Sequence, residues 1–224
     1  MVINNNDEYI VTWYYNNFGG YKTKPMSQHY FTENPESEIK EKSFDENICG
    51  TNLNFASVSG VFSFGTKIDR ASCNLIKNFS PSGSSILDIG CGYGAIGLYI
   101  KSLFPSQTVT MIDVNNRALD YSRKNAATNK LVVEVINSNL YDALPGRIFD
   151  DIVSNPPIAA GKELNTKLIT EAYQYLTENG SLWLVAFHNK GGSTLKEKMK
   201  SVFGNVTDMD KSGGIRVYKS IKKT

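Results

Sequence analysis

From Thr66 onward this sequence predicts an α/β fold: a parallel sheet with helices on both faces, preceded by a short β-rich N-terminal extension. Two observations predict it. Apolar strand-like runs alternate with helix-periodic segments along the rest of the chain, and repeated β-α units close into a parallel sheet. The run Ile86-Leu87-Asp88-Ile89-Gly90-Cys91-Gly92-Tyr93-Gly94 reads as a buried strand, a glycine turn and a helix starting near Ala95. That order builds a Rossmann-like nucleotide crevice at the C-terminal end of a parallel strand.

The elements follow in order. In the extension, Glu8–Tyr15 is β-prone and Asn16–Gly20 is turn material. Thr32–Glu38 is acidic and polar, a loop; Asn52–Val58 alternates as a half-buried strand does. Beyond Thr66, Ile68, Ala71, Leu75 and Ile76 share one helical face. Strand one is Ser84–Ile89, and the helix Ala95–Phe104 stops before Pro105. Strand two, Thr108–Ile112, is closed by Asp113; the helix Arg117–Asn129 turns Ala118, Tyr121 and Ala126 inward. Leu131–Ile136 is strand three and Ile148–Ser154 strand four. The helix Lys162–Thr177 ends at Asn179-Gly180. Strand five, Ser181–Phe187, is almost wholly apolar, as buried parallel strands are. A helix over Leu195–Phe203 and a strand pair, Val206–Met209 and Ile215–Ile221, complete the chain. Residues 1–59 are thus expected to form the extension and 60–224 the main domain.

Composition is that of a globular protein, with 41% hydrophobic and 21% charged residues. No apolar run reaches bilayer-spanning length, and the N-terminal residues lack the basic and apolar regions of a signal peptide. Cys49, Cys73 and Cys91 are an odd set without a C-x-x-C pair, which predicts reduced thiols in a cytoplasm and no metal site. The net charge of +2 says little, but nine basic residues against three acidic ones lie in 189–224. Such a stretch forms either a phosphate-binding face or a solvated helix and tail.

The chemistry sits at strand ends. Gly90, Gly92 and Ala95 satisfy a loose dinucleotide pattern, so NAD is one reading. Asp88 opposes it, because a carboxylate there repels a pyrophosphate. It suits instead a cofactor with positive charge, such as S-adenosylmethionine (SAM) with its sulfonium and ammonium groups. Asp113, 23 residues past Gly90, can accept both ribose hydroxyls in either case. Asn139-Leu140 stand where an adenine ring can be gripped. Asn155-Pro156-Pro157-Ile158 follows strand four. Two prolines stiffen the backbone and remove donors, leaving fixed carbonyls and the Asn155 amide oxygen as acceptors. Such acceptors suit the holding of a planar NH₂ group. Neither His29 nor His188 is assigned catalysis.

Asp88-x-Gly90-x-Gly92-x-Gly94, the strand-two acid and Asn155-Pro156-Pro157 resemble class I SAM-dependent methyltransferases that modify planar amines. Gly60-Val61-Phe62-Ser63, Lys67-Ile68-Asp69 and Asn155-Pro156-Pro157-Ile158 with Gly161-Lys162 are similar to the "methyltransferase small" family, which includes guanine-N2 methyltransferases of small-subunit ribosomal RNA. Ser27-Gln28-His29-Tyr30-Phe31 with Pro35 and Ser37 resembles the start of its short, single-domain members. The resemblance spans about residues 27–221. It implies a seven-stranded sheet with the last strand antiparallel, and SAM on Asp88, Gly90, Cys91, Gly92, Gly94, Asp113, Val114, Asn139, Leu140 and Asn155. It also implies catalysis by Asn155, Pro156 and Pro157, with Phe62, Ser63 and Ile158 lining the substrate side.

Two positions depart from the family. Asn139 stands where relatives often carry Asp, and can still accept from the adenine amine. Ile158 stands where adenine- and glutamine-methylating relatives carry an aromatic residue, a stacking face worth about 1–3 kcal/mol per base. The implied activity is therefore methyl transfer to guanine N2 in RNA, ribosomal or else transfer RNA, with the base taken out of its stack. Methylation of adenine N6 or of a protein glutamine amide, and a non-catalytic RNA-binding role, are the competing readings.

Overall fold

The computed structural model describes residues 33–223. The expected strand Glu8–Tyr15, the turn Asn16–Gly20, and the segment Ser27–Phe31 with His29 lie outside the described residues. Residues 33–40 carry no helix or strand, as the acidic stretch predicts. A hairpin follows, β1 (Glu41–Ile48) and β2 (Thr51–Val58). Then come α1 (Arg70–Asn78), β3 (Ser85–Ile89), α2 (Ala95–Leu103), β4 (Thr108–Asp113), α3 (Asn116–Thr128), β5 (Glu134–Asn137) and β6 (Phe149–Ser154). After a short 3₁₀ turn, Ile158–Ala160, the chain forms α4 (Lys162–Tyr175) and β7 (Leu176–Phe187). A turn over His188–Gly192 leads into α5 (Ser193–Phe203), β8 (Thr207–Ser212) and β9 (Ile215–Ile221).

The seven strands stand in the order β5-β4-β3-β6-β7-β9-β8. β3 pairs in parallel with β4 and β6, and β9, the last in the chain, is antiparallel to both β7 and β8. The chain thus winds outward from β3 to β5, then restarts on the other side at β6. A crevice opens at such a switch point, beyond the carboxyl ends of the central strands.

Neighbouring residues on each central strand enter opposite cores, as a pleat requires. Ile86, Trp183 and Val217 pack with α1–α3 and the hairpin. Leu87, Leu182, Leu184 and Tyr218 pack with α4 and α5. Ile68, Ala71, Leu75 and Ile76 are all buried, as are Ala118 and Ala126. The hairpin is fixed by more than apolar contact. Phe55 sits 5.8 Å from the Tyr99 ring and 5.9 Å from the Tyr93 ring. Asn125 of α3 reaches it from the side: its Nδ2 donates to the carbonyls of Ala56 and Tyr93, and its Oδ1 accepts the Ala56 N–H.

Two elements differ most from the sequence reading. β1 was not anticipated. Its side chains are mostly exposed, so no apolar alternation marks it. The helix expected to reach Thr177 stops at Tyr175, and Asn179-Gly180 lie inside β7 rather than ending a helix. There the pairing with β6 slips between Phe149 and Asp151, and Asn179 takes φ +66°. Glycine is needed next to it, since a Cβ at position 180 falls 2.8 Å from the Asp150 carbonyl oxygen. A turn dipeptide here makes a bulge, the other use of left-handed backbone.

Gly97 lets α2 approach the sheet. A Cβ there meets Met111 Sδ at 2.5 Å and Asp88 Oδ2 at 3.0 Å. Gly97→Ala is expected to destabilise the protein by about 1–3 kcal/mol, the usual cost of overpacking, although alanine favours a helix by up to ~1 kcal/mol. Denaturant unfolding checks the sign; a stabilised variant refutes the packing argument.

Candidate active site

Three strand ends meet in one cleft: the glycine turn after β3, Asp113 at the end of β4, and Asn155 after β6. Val61, Phe62 and Ser63 form the wall contributed by the segment after the hairpin.

The turn depends on left-handed backbone at Gly90 (φ +69°), Gly92 (φ +58°) and Gly94 (φ +94°), a conformation that suits glycine. The N–H groups of Gly90 and Cys91 both donate to the Ile112 carbonyl, at 2.9 and 3.0 Å. A Cβ on Gly90 meets nothing within 4 Å, so open space lies above its backbone. Cys91 is buried, with burial pushing its thiol well up; it fills space and is no nucleophile.

Asp113 is held by the turn it faces. Oδ2 accepts the Gly92 N–H at 2.9 Å and Oδ1 accepts the Asn115 N–H at 2.9 Å. Burial raises its pKa against these donors. Asn115 is itself pinned, capping α3 through Ala118 N–H and donating to the Gly60 carbonyl. On the neighbouring strand end, Leu140 adopts φ +51°. Ser138 fixes that turn by donating to the Leu140 carbonyl and accepting the Ala143 N–H.

Asn155 has one amide end committed. Its Nδ2 donates to Asp69 Oδ1 at 3.2 Å and to Ser72 Oγ at 3.1 Å. The flipped amide would set an oxygen against a carboxylate, so the assignment is fixed by charge. Oδ1 is therefore what Asn155 offers the cleft. Asp69 also caps α1, accepting the N–H groups of Ala71 and Ser72.

Most residues singled out in the sequence come together here. Phe62, Ser63, Gly90, Cys91, Gly92, Asp113, Val114, Asn139, Leu140, Asn155, Pro156 and Pro157 all line the cleft. Three do not. Gly94 caps α2. Ile158 faces away and packs on Gly191, where a Cβ would lie 2.5 Å from Ile158 Cγ2. Asp88 lies wholly buried beneath the turn, its Oδ2 accepting the Gly97 N–H at 2.8 Å. The carboxylates that line the cleft are Asp113 and Asp69, the latter engaged with Asn155. Sequence reasoning missed the orienting pair: Asp69 carried only a motif match and Ser72 no signal, and each is more than 80 residues from Asn155. Arg117 was missed too. It donates to the carbonyls of Pro35, Ser37 and Ser59 and to Ser37 Oγ, strapping that segment beside Gly60. His188 bonds Tyr218 through Nδ1, at 2.8 Å.

Burial pushes the Asp88 carboxyl up to about 7. An unfolded Asp ionises near 3.9. Between these values the folded state holds a proton that the unfolded chain has released, so stability falls as pH rises. The loss approaches ~4 kcal/mol once pH passes the folded value. Asp88→Asn, which can still accept from Gly97, is expected to flatten the pH 5–8 dependence of the thermal midpoint. An unchanged slope removes Asp88 as its source.

The profile of the Methyltransferase small domain family matches residues 52–219. Over 201 residues the chain is 34% identical to an uncharacterized protein, YbxB, of Bacillus subtilis, covering 88% of this chain and all of that one. It is 35% identical over 178 residues to ribosomal RNA small subunit methyltransferase C of Pseudomonas putida, covering 76% of this chain and 51% of the relative. The chain therefore spans about half the length of those methyltransferase relatives. Among solved structures, the 16S rRNA N2 G1207 methyltransferase (RsmC) of T. Thermophilus, in complex with AdoMet and guanosine, superposes with a TM-score of 0.71 at 24% identity. That match covers 84% of this chain and 52% of the other, and it shows a shared fold.

Proposed function

The chain belongs to the methyltransferase small domain family, whose methyl donor is SAM, and from that membership we propose that it methylates the N2 amine of a guanine in ribosomal RNA. One observation carries the reading: the Asn155 amide is anchored by Asp69 and Ser72 and so presents its oxygen in the cleft. The relatives named for ribosomal RNA methylation support the substrate class.

The residues fit the donor. Asp113 would accept from the ribose hydroxyls, with Val114 beside it. Asn139 and Leu140 would hold the adenine, and the open backbone of Gly90–Gly92 would receive the amino-acid end. When bound, SAM supplies an electrophilic methyl group on a sulfonium. The chain's own task is to hold the amine. Asn155 Oδ1 and the Pro156 carbonyl accept its two hydrogens, which draws the nitrogen lone pair out of conjugation and stabilises the charge that develops there. The excess proton then leaves to water. Phe62 offers a partly exposed ring at the cleft's wall, and Ser63 stands beside it.

Incubation with labelled SAM and unmodified ribosomal RNA, followed by nucleoside mass spectrometry, is expected to yield N2-methylguanosine. Label in adenine or nowhere, or label in the glutamine of a release factor assayed side by side, overturns the assignment.

A further inference from the structure

A second groove begins where the cleft ends. Pro157 lines the cleft, and the next residue, Ile158, lines this groove between α4 and α5. Its charged lining residues are Lys162 and Lys198, with no carboxylate among them. Neither lysine enters an ion pair among the described residues. By contrast, Lys196, Lys211 and Lys222 of the basic C-terminal stretch are bound to Asp208 or Glu178.

The N-terminus of α4, a 14-residue helix, opens on the same groove without a side-chain cap. Its unpaired N–H groups and the helix dipole favour an anion. Gly161 precedes it at φ +108°, and a Cβ there would meet nothing within 4 Å. Asn165 supplies the independent observation. It is 6% exposed and lines the groove; its Nδ2 donates to the Gly161 and Pro157 carbonyls, and its Oδ1 has no partner. A phosphate alone leaves that acceptor unsatisfied. A ribonucleotide brings both a phosphodiester and an adjacent 2′-hydroxyl donor.

We propose that this groove binds the backbone of the RNA next to the methylated nucleotide. The phosphodiester lies on the α4 N-terminus between Lys162 and Lys198, and the 2′-hydroxyl donates to Asn165 Oδ1. The inference rests on the RNA reading above and names a separate contact for it.

The test uses the full chain and a fluorescent single-stranded RNA 12-mer, with the DNA of the same sequence as control. Lys162→Ala/Lys198→Ala is expected to weaken RNA binding about tenfold at 0.15 M salt. The slope of log K against log salt should fall by about 0.7 per lost contact, and SAM affinity should stay within twofold. Wild-type protein should prefer the RNA several-fold. An unchanged slope and affinity in the double variant overturns the groove, as does stronger competition by polyglutamate than by RNA. Equal affinity for RNA and DNA overturns the ribose contact. Methylation is scored apart. Wild-type activity on ribosomal RNA with unaltered binding in the variant fails the groove alone. Weakened binding with no methylated guanine fails the functional reading alone.

Discussion

Asn155→Ala should cut methyl-transfer turnover by about 10² or more while leaving SAM affinity within a few-fold, the loss expected for one preorganised polar group at a reacting centre. The factor corresponds to about 2.7 kcal/mol of transition-state stabilisation. The fold should tolerate the change. Asp69 keeps the N–H groups of Ala71 and Ser72 as partners when Asn155 is truncated, so α1 retains its cap. Asn155→Asp is no conservative rescue, because it places a second carboxylate against Asp69. Single-turnover rates with saturating SAM decide the matter, and a variant as fast as wild type takes Asn155 out of the chemistry.

Asp113→Ala should weaken SAM binding about 10²-fold, with turnover at saturation less affected. The carboxylate is held by two backbone N–H groups at 2.9 Å. A hydrogen bond to a charged group contributes about 1.5–3 kcal/mol. Truncation removes the acceptor proposed for the ribose and frees the Gly92 N–H that shapes the turn. Asp113→Asn should fall between, since the amide keeps one acceptor but sets an NH₂ group against an N–H. Titration calorimetry measures the ladder. A dissociation constant within threefold of wild type for Asp113→Ala refutes the role.

The main sheet was legible because its central strands are buried on both faces and announce themselves as apolar runs. Ser181–Phe187 is the plainest case. Edges were harder. β5, expected over Leu131–Ile136, is paired only over Glu134–Asn137, since one neighbour gives a strand fewer constraints. β1 was missed because exposed strands need no apolar pattern. In the site, residues at strand ends could be found from local motifs. Their supports could not. Asp69, Ser72, Asn115 and Arg117 act through partners 55 to 86 positions away, and no short-range pattern records such contacts. Ile158 is the instructive case. The two prolines fix their own φ and restrict Asn155, but Ile158 follows them, and its side chain packs on Gly191 of the 188–192 turn.

Asn125 ties the hairpin to the glycine turn by three hydrogen bonds, two to Ala56 and one to the Tyr93 carbonyl. Peeling β1 and β2 from the body would strip that amide of most of its partners and loosen the loop beneath the ligand. Local opening of a peripheral ribbon and occupancy of a central pocket are then thermodynamically linked. A ligand that favours the closed form adds RT ln(1 + [L]/Kd) to the work of opening, so saturation of the pocket would slow amide exchange in strands that never touch it.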